Sequence, residues 1–217
     1  RRMLGHSQAI RTLKYSPDGK FIASAGWDTE IKIWYAATGV NLKNFKGHNQ
    51  CIRAIDFSPD GKFLASGGYD LHIKVWDVSS GNEVFSVKGH KFPIEALAYH
   101  PSGTVIATAG LDNEIKIWNA QNGHLERTIS GHREGVYALA YSHDGSYLAS
   151  AGNDQTIILW NAASGKKVKE FIAHRQGIRS LSFSQDGRRL ASGAIDNQTL
   201  LWKVEDLNIK PMNTVSF

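Results

Sequence analysis

The 217-residue sequence is poor in the residues that staple a small protein. Its one cysteine, Cys51, excludes an internal disulfide and any Cys-based zinc cluster. A reducing compartment is expected, so the chain reads as intracellular and cytoplasmic, with the nucleus as the alternative. Only 5 prolines stand against 21 glycines, which excludes a Pro-rich disordered chain and points to many tight turns. No apolar run approaches the ~20 residues of a membrane helix, and no membrane contact is expected. No secretory leader pattern precedes the first patterned segment, and the missing initiator Met favours a piece of a longer protein. Like charges never run beyond two residues, as at Lys166-Lys167 and Arg188-Arg189. The formal charge of +5 and a pI near 9.3 therefore fit a solvated surface better than a nucleic-acid footprint.

What the chain has is repetition. Trp34, Trp76, Trp118, Trp160 and Trp202 follow one another at intervals of 42 residues. Asp28, Asp70, Asp112, Asp154 and Asp196 keep that interval, as do His6, His48, His90, His132 and His174. Ser24, Ser66, Thr108, Ser150 and Ser192 form a fourth series. The units run 5–46, 47–88, 89–130, 131–172 and 173–214 and fill the chain as one domain, with no linker.

Each unit reads as four short strands. Ile10 to Tyr15 alternates apolar and polar with a period of two. Ser16-Pro17-Asp18-Gly19 is a turn, Phe21 to Ala25 an apolar strand, and Gly26-Trp27-Asp28-Thr29 a second turn. Ile31 to Trp34 alternates again, Thr38-Gly39 turns, and Val40 to Lys46 is a more polar fourth strand. No segment has helical periodicity. Strands joined by tight turns predict an antiparallel meander. One such sheet cannot bury both faces alone, so its neighbours must cover them, and radial stacking gives a propeller.

The leading Gly-His, the turn Asp and a Trp 28 residues after the His resemble the WD40 repeat over residues 5–214. The literal Trp-Asp pair survives only at Trp76-Asp77, and Ala173 replaces the leading Gly in the fifth unit. The resemblance implies an all-β WD40 propeller of five four-stranded antiparallel blades. These form either a closed five-bladed ring or part of a seven-bladed one. Each unit carries Ser or Thr, His and Asp, the ingredients of nucleophilic catalysis. Five copies in one chain argue for a structural role, and the resemblance implies a buried relay with the Trp of the same unit. His72, His100, His124 and His143 show no ligand spacing, so neither metal nor cofactor is expected. Asn197-Gln198-Thr199 matches a glycosylation sequon, but it falls in a tight turn and reads as coincidence.

The resemblance also implies a partner-binding rim on the top face. The fifth residues after the His are Arg11, Arg53, Glu95, Tyr137 and Arg179. Before the turn Asp stand Trp27, Tyr69, Leu111, Asn153 and Ile195, and four of these are large apolar residues where turns prefer small polar ones. Arg and aromatic residues dominate binding hot spots. Arg11 with Trp27, and Arg53 with Tyr69, make the sharpest patch, and the arginines suit an acidic or carboxylate-bearing segment of a protein partner. The expected function is a non-catalytic scaffold or recognition module. The alternatives are a basic, nucleic-acid-associated propeller and the recognition module of a larger signalling or enzymatic protein. If the ring is open, its end blades expose apolar faces and self-association is expected. Arg1 to Leu4 is placed to complete the last blade. Otherwise the tail from Glu205 to Phe217 supplies that blade's outer strand or serves as a connector.

Overall fold

The computed structural model describes residues 2–204 and 210–211. Blade 1 comprises β1 (Ile10–Tyr15), β2 (Phe21–Gly26), β3 (Glu30–Tyr35) and β4 (Asn41–Lys46). Blade 2 comprises β5 (Ile52–Phe57), β6 (Phe63–Gly68), β7 (His72–Asp77) and β8 (Glu83–Lys88). Blade 3 comprises β9 (Ile94–Tyr99), β10 (Val105–Gly110), β11 (Glu114–Asn119) and β12 (Leu125–Ser130). Blade 4 comprises β13 (Val136–Tyr141), β14 (Tyr147–Gly152), β15 (Thr156–Asn161) and β16 (Lys167–Ile172). Blade 5 comprises β17 (Ile178–Phe183), β18 (Arg189–Ala194), β19 (Thr199–Lys203) and the short β20 (Lys210–Pro211). Each blade is an antiparallel meander in sequence order.

The turns follow from their residues. In Ser16-Pro17-Asp18-Gly19 the Ser16 hydroxyl donates to Asp18 at 2.6 Å and accepts the Phe21 N–H at 2.9 Å. Gly19 takes a φ of 70° there, which costs glycine least. The third blade has His100 in place of the serine, and its Nε2 reaches across to the Gly145 carbonyl of blade 4 at 3.0 Å.

The cores lie between blades. Ala23, Ala25, Ile31, Ile33 and Phe45 form the trailing face of blade 1, and Ile52, Ile55, Phe57, Leu64 and Trp76 form the leading face of blade 2. Together these ten residues make one core, and three more cores of the same kind fill the other junctions. Inner strand packs on inner strand, β1 on β5, β5 on β9, β9 on β13 and β13 on β17. Burying one such side chain contributes about 1.5–3 kcal/mol, so the junctions hold most of the stability.

Among the described residues the ring does not close. Packing of that kind does not join β17 back to β1 among the described residues, and much of β1 is exposed. Nor does Arg2–Leu4 complete blade 5. It forms no strand, and β19 pairs with Lys210–Pro211 instead. Residues 205–209 and 212–217, where the rest of the expected tail strand falls, lie outside the described residues.

Candidate interaction surface

A bulge sets the top edge of every blade. Ile10 pairs with Gly26 and Thr12 with Ala25, so Arg11 is the extra residue on its strand. The same shift occurs at Arg53, Glu95, Tyr137 and Arg179. A bulge re-aims a side chain away from the ladder. The fifth residue after each His is thus the one at which the inner strand goes out of register with its neighbour.

The neighbouring turn is locked from beneath. In blade 1 the His6 Nδ1–H donates to Asp28 at 2.7 Å. Its Nε2 then accepts from the Ser24 hydroxyl at 2.7 Å, and that oxygen accepts the Trp34 indole N–H at 2.7 Å. His48, Ser66, Asp70 and Trp76 repeat the chain. So do His90, Thr108, Asp112 and Trp118. His132, Ser150, Asp154 and Trp160 follow, then His174, Ser192, Asp196 and Trp202. Each Asp also accepts the N–H of the residue after the His, such as Arg133 on Asp154 at 3.0 Å. Burial pushes the carboxyls of Asp70, Asp112, Asp154 and Asp196 up, but the bonds from imidazole and backbone more than reverse it. Asp70, Asp112 and Asp196 lie below the ordinary carboxylate range, and Asp154 falls to about 2.

On that base stand the residues before each Asp. Trp27 is 43% exposed and meets half-buried Tyr69 edge to face, with centroids 5.8 Å apart. Ile195 is exposed, and Leu111 and Asn153 are half-buried. Arg11 is exposed, with no ion pair or hydrogen bond among the described residues.

The other arginines are not presented as the sequence leads one to expect. Arg53 forks onto Glu95 of the next blade, with Nε and Nη2 at 2.7 and 2.6 Å from one carboxylate oxygen. The Glu95 side chain is only 2% exposed, so neither group is open to a partner as a free charge. A buried carboxylate needs its cation, and the fork supplies it. Arg53 also leans over Tyr69 at 6.0 Å and so backs the aromatic pair. Arg179 stacks on Tyr137 at 3.9 Å and donates to Asn153 Oδ1 at 2.9 Å. Sequence reasoning missed these pairings, although Arg53 with Glu95 and Arg179 with Tyr137 each join the same position of consecutive units.

Cys51 is buried beside Arg53 and Arg11. Burial pushes its thiol up against the pull of the two arginines, so it is a packing residue rather than a nucleophile.

Radial stacking of four-stranded blades, each with this relay, defines a β-propeller repeat array. The family profile described as "WD domain, G-beta repeat" matches residues 1–35, 39–77, 81–119, 123–161 and 165–203. The chain belongs to the WD40 family.

Similarity to individual proteins is local. A 43-residue stretch is 49% identical to "Ribosome assembly protein 4" of Chaetomium thermophilum, covering 20% of this chain and 8% of that protein. A 39-residue stretch is 44% identical to "Notchless protein homolog" of Arabidopsis thaliana, covering 18% and 8%. Another of 39 residues is 44% identical to "Small ribosomal subunit protein RACK1y" of Oryza sativa, covering 18% and 12%. Each match is about one repeat long, so it shows the shared repeat and carries no function with it.

Proposed function

We propose that this chain is a non-catalytic protein-interaction module, acting inside the cell, that takes its partner on the top rim. The observation that carries this reading is the shelf formed by Trp27 and Tyr69 beside unpaired Arg11. Trp27 fills no core, and its ring is nonetheless fixed, edge to face on Tyr69 with Arg53 and Glu95 behind. A pre-ordered aromatic loses little freedom on binding, the condition for a hot spot. Arg11 supplies the open cation, so an acidic side chain seated next to an apolar one is the partner chemistry that fits. Leu111, Tyr137 and Ile195 extend the surface around the rim. RNA or DNA fits less well, because Arg53 and Arg179 are already engaged.

The five Ser/Thr–His–Asp sets do not suit acyl transfer. Each hydroxyl is buried, and its oxygen accepts an indole N–H, as at Trp76 on Ser66 at 2.8 Å. A substrate carbonyl has no approach to it.

Arg11, Trp27 and Tyr69 changed together to Ala test the proposal. The fold should survive, since none of the three belongs to a junction core. Partner capture should weaken by about tenfold or more per anchor. Undiminished capture by the folded variant would refute a top-rim site.

A further inference from the structure

Outer strands send cations across blade junctions at the bottom edge. Lys43 of blade 1 reaches blade 2, where its ammonium donates to the Val78 carbonyl at 3.3 Å and to that of Ser79. Arg127 of blade 3 reaches blade 4, and its Nη1 donates to the Ala163 carbonyl at 2.9 Å. Ser79 and Ala163 hold the same place in the turn before the outer strand. The junction between blades 2 and 3 breaks the series, because Phe85 stands where Lys43 and Arg127 stand. The Phe85 ring lies against Gly123 as the Arg127 stem lies against Gly165. The apolar part of the contact is kept and the charge is missing. Among the described residues no hydrogen bond reaches the Ala120 or Gln121 carbonyl, the counterparts of Val78 and Ser79.

A cavity of about 390 Å³ opens beside those two carbonyls, with Phe63 and Val84 as its apolar wall. Its volume is in the range of ligand sites. Tyr99 lines it and is 7% exposed, and its hydroxyl has no hydrogen-bond partner among the described residues. Every fully enclosed side-chain nitrogen or oxygen there has a partner, so the Tyr99 oxygen opens onto the cavity. Burial, with the Asp56 and Asp60 charges, keeps this phenol protonated. Asp60 stands at the mouth. Its Oδ1 accepts the Ser58 hydroxyl at 2.6 Å and the Lys62 N–H at 3.1 Å, bonds that hold the carboxyl below the ordinary range. Its Oδ2 meets only the exposed Lys62 ammonium, at 3.6 Å.

We propose that the cavity between blades 2 and 3 receives the cationic side chain of a protein partner, a lysine or an arginine on an extended segment, which supplies the charge that Phe85 lacks. The stem of such a side chain lies on Phe63 and Val84 while its head stays at the polar mouth. Its N–H groups take the Ala120 and Gln121 carbonyls, with the Tyr99 oxygen and the Asp60 carboxylate as further acceptors. A set of acceptors around one carboxylate selects a cation and rejects an anion. The groove between blades 1 and 2 is larger, about 550 Å³, but it is a poorer receiver. Lys43 already holds its carbonyls, and Phe57 stands there in place of Tyr99. The cavity lies on the edge opposite Trp27 and Tyr69, so it is independent of the rim site.

The test titrates N-acetylarginine amide into the isotope-labelled 217-residue chain, with N-acetylcitrulline amide as the uncharged counterpart. Backbone amide resonances of Ser102, Gly103, Ala120 and Gln121 should shift and saturate, and the citrulline probe should bind about tenfold or more weakly. Phe85→Lys restores the cation that blade 1 carries at Lys43 and should abolish the saturable shifts. Tyr99→Phe keeps the ring, as Phe57 and Phe183 do in their blades, and Asp60→Asn changes an exposed turn. Each should weaken arginine binding severalfold. No saturable shift at the cavity, equal binding of the two probes, or binding that survives Phe85→Lys in the folded variant would each overturn the proposal. Should Phe85→Lys not fold, Tyr99→Phe combined with Asp60→Asn decides, and unchanged arginine binding by that variant would overturn it.

Discussion

Asp154→Asn isolates one relay. The wild-type carboxylate accepts His132 Nδ1–H at 2.8 Å, the Arg133 N–H at 3.0 Å and the Thr156 hydroxyl at 2.8 Å. Its side chain is 6% exposed, so solvent screens these bonds little. Burial works against ionisation, but the bonds outweigh it and hold the carboxyl at about 2 against 3.8 for a free one. A folded-state value below the unfolded one means that the ionised group stabilises the fold above pH ~4, and that this stabilisation is lost as pH falls towards 2. The size is about 2 kcal/mol at neutral pH. Urea unfolding followed by tryptophan fluorescence, at several values between pH 7 and pH 2.5, measures the difference between wild type and variant. Asp70, Asp112 and Asp196 titrate in both proteins and lie in other blades, so their contributions cancel in the difference. The gap should be about 2 kcal/mol near neutrality and should shrink by more than half by pH ~2.5. A gap that stays constant across this range would refute the assignment of the stabilisation to the ionised carboxylate.

Two further outcomes follow from the same geometry. Arg53→Ala strands the Glu95 carboxylate and should cost about 3–5 kcal/mol in chemical denaturation, and adding Glu95→Gln should recover a large part of it. No recovery would mean that Arg53 acts through packing rather than charge. Thr29 holds a φ of 65° in the Gly26-Trp27-Asp28-Thr29 turn, a conformation that strains a β-branched residue, while Asn113 and Asn197 occupy the equivalent places. Thr29→Asn should therefore stabilise by about 0.5–1 kcal/mol, seen as a higher urea midpoint, and a lower midpoint would contradict the strain argument.

The strands and the relay were readable in the sequence because each depends on residues within one 42-residue unit. Period-two alternation set the strands, and Ser-Pro-Asp-Gly set the lower turns. The series of His, Ser or Thr, Asp and Trp marked positions that the folded blade joins within hydrogen-bonding distance. Contacts across the blade junctions were not read. Lys14 reaches Asp56 at 3.4 Å, Arg53 grips Glu95, Trp27 meets Tyr69, and Arg179 covers Tyr137. Every one of these pairs is 42 residues apart, because equivalent positions on consecutive inner edges are nearest neighbours around the axis. Opposite charges one repeat apart were the available signal, and pattern analysis confined to a single unit passes over it. An open array was legible in the count of five repeats, but the residues that face its ends were not. Arg189 and Thr199 look like ordinary drift until the face they occupy is known.

The most direct test of the top-rim account places a photo-crosslinking phenylalanine analogue at position 27 and, separately, at exposed Lys20 in the turn at the opposite edge of the same blade. Irradiation in extracts of the source cells should give a discrete protein adduct from position 27 that Arg11→Ala removes, and none from position 20. Equal adducts from both positions, or an adduct at position 27 that is indifferent to Arg11, would contradict it.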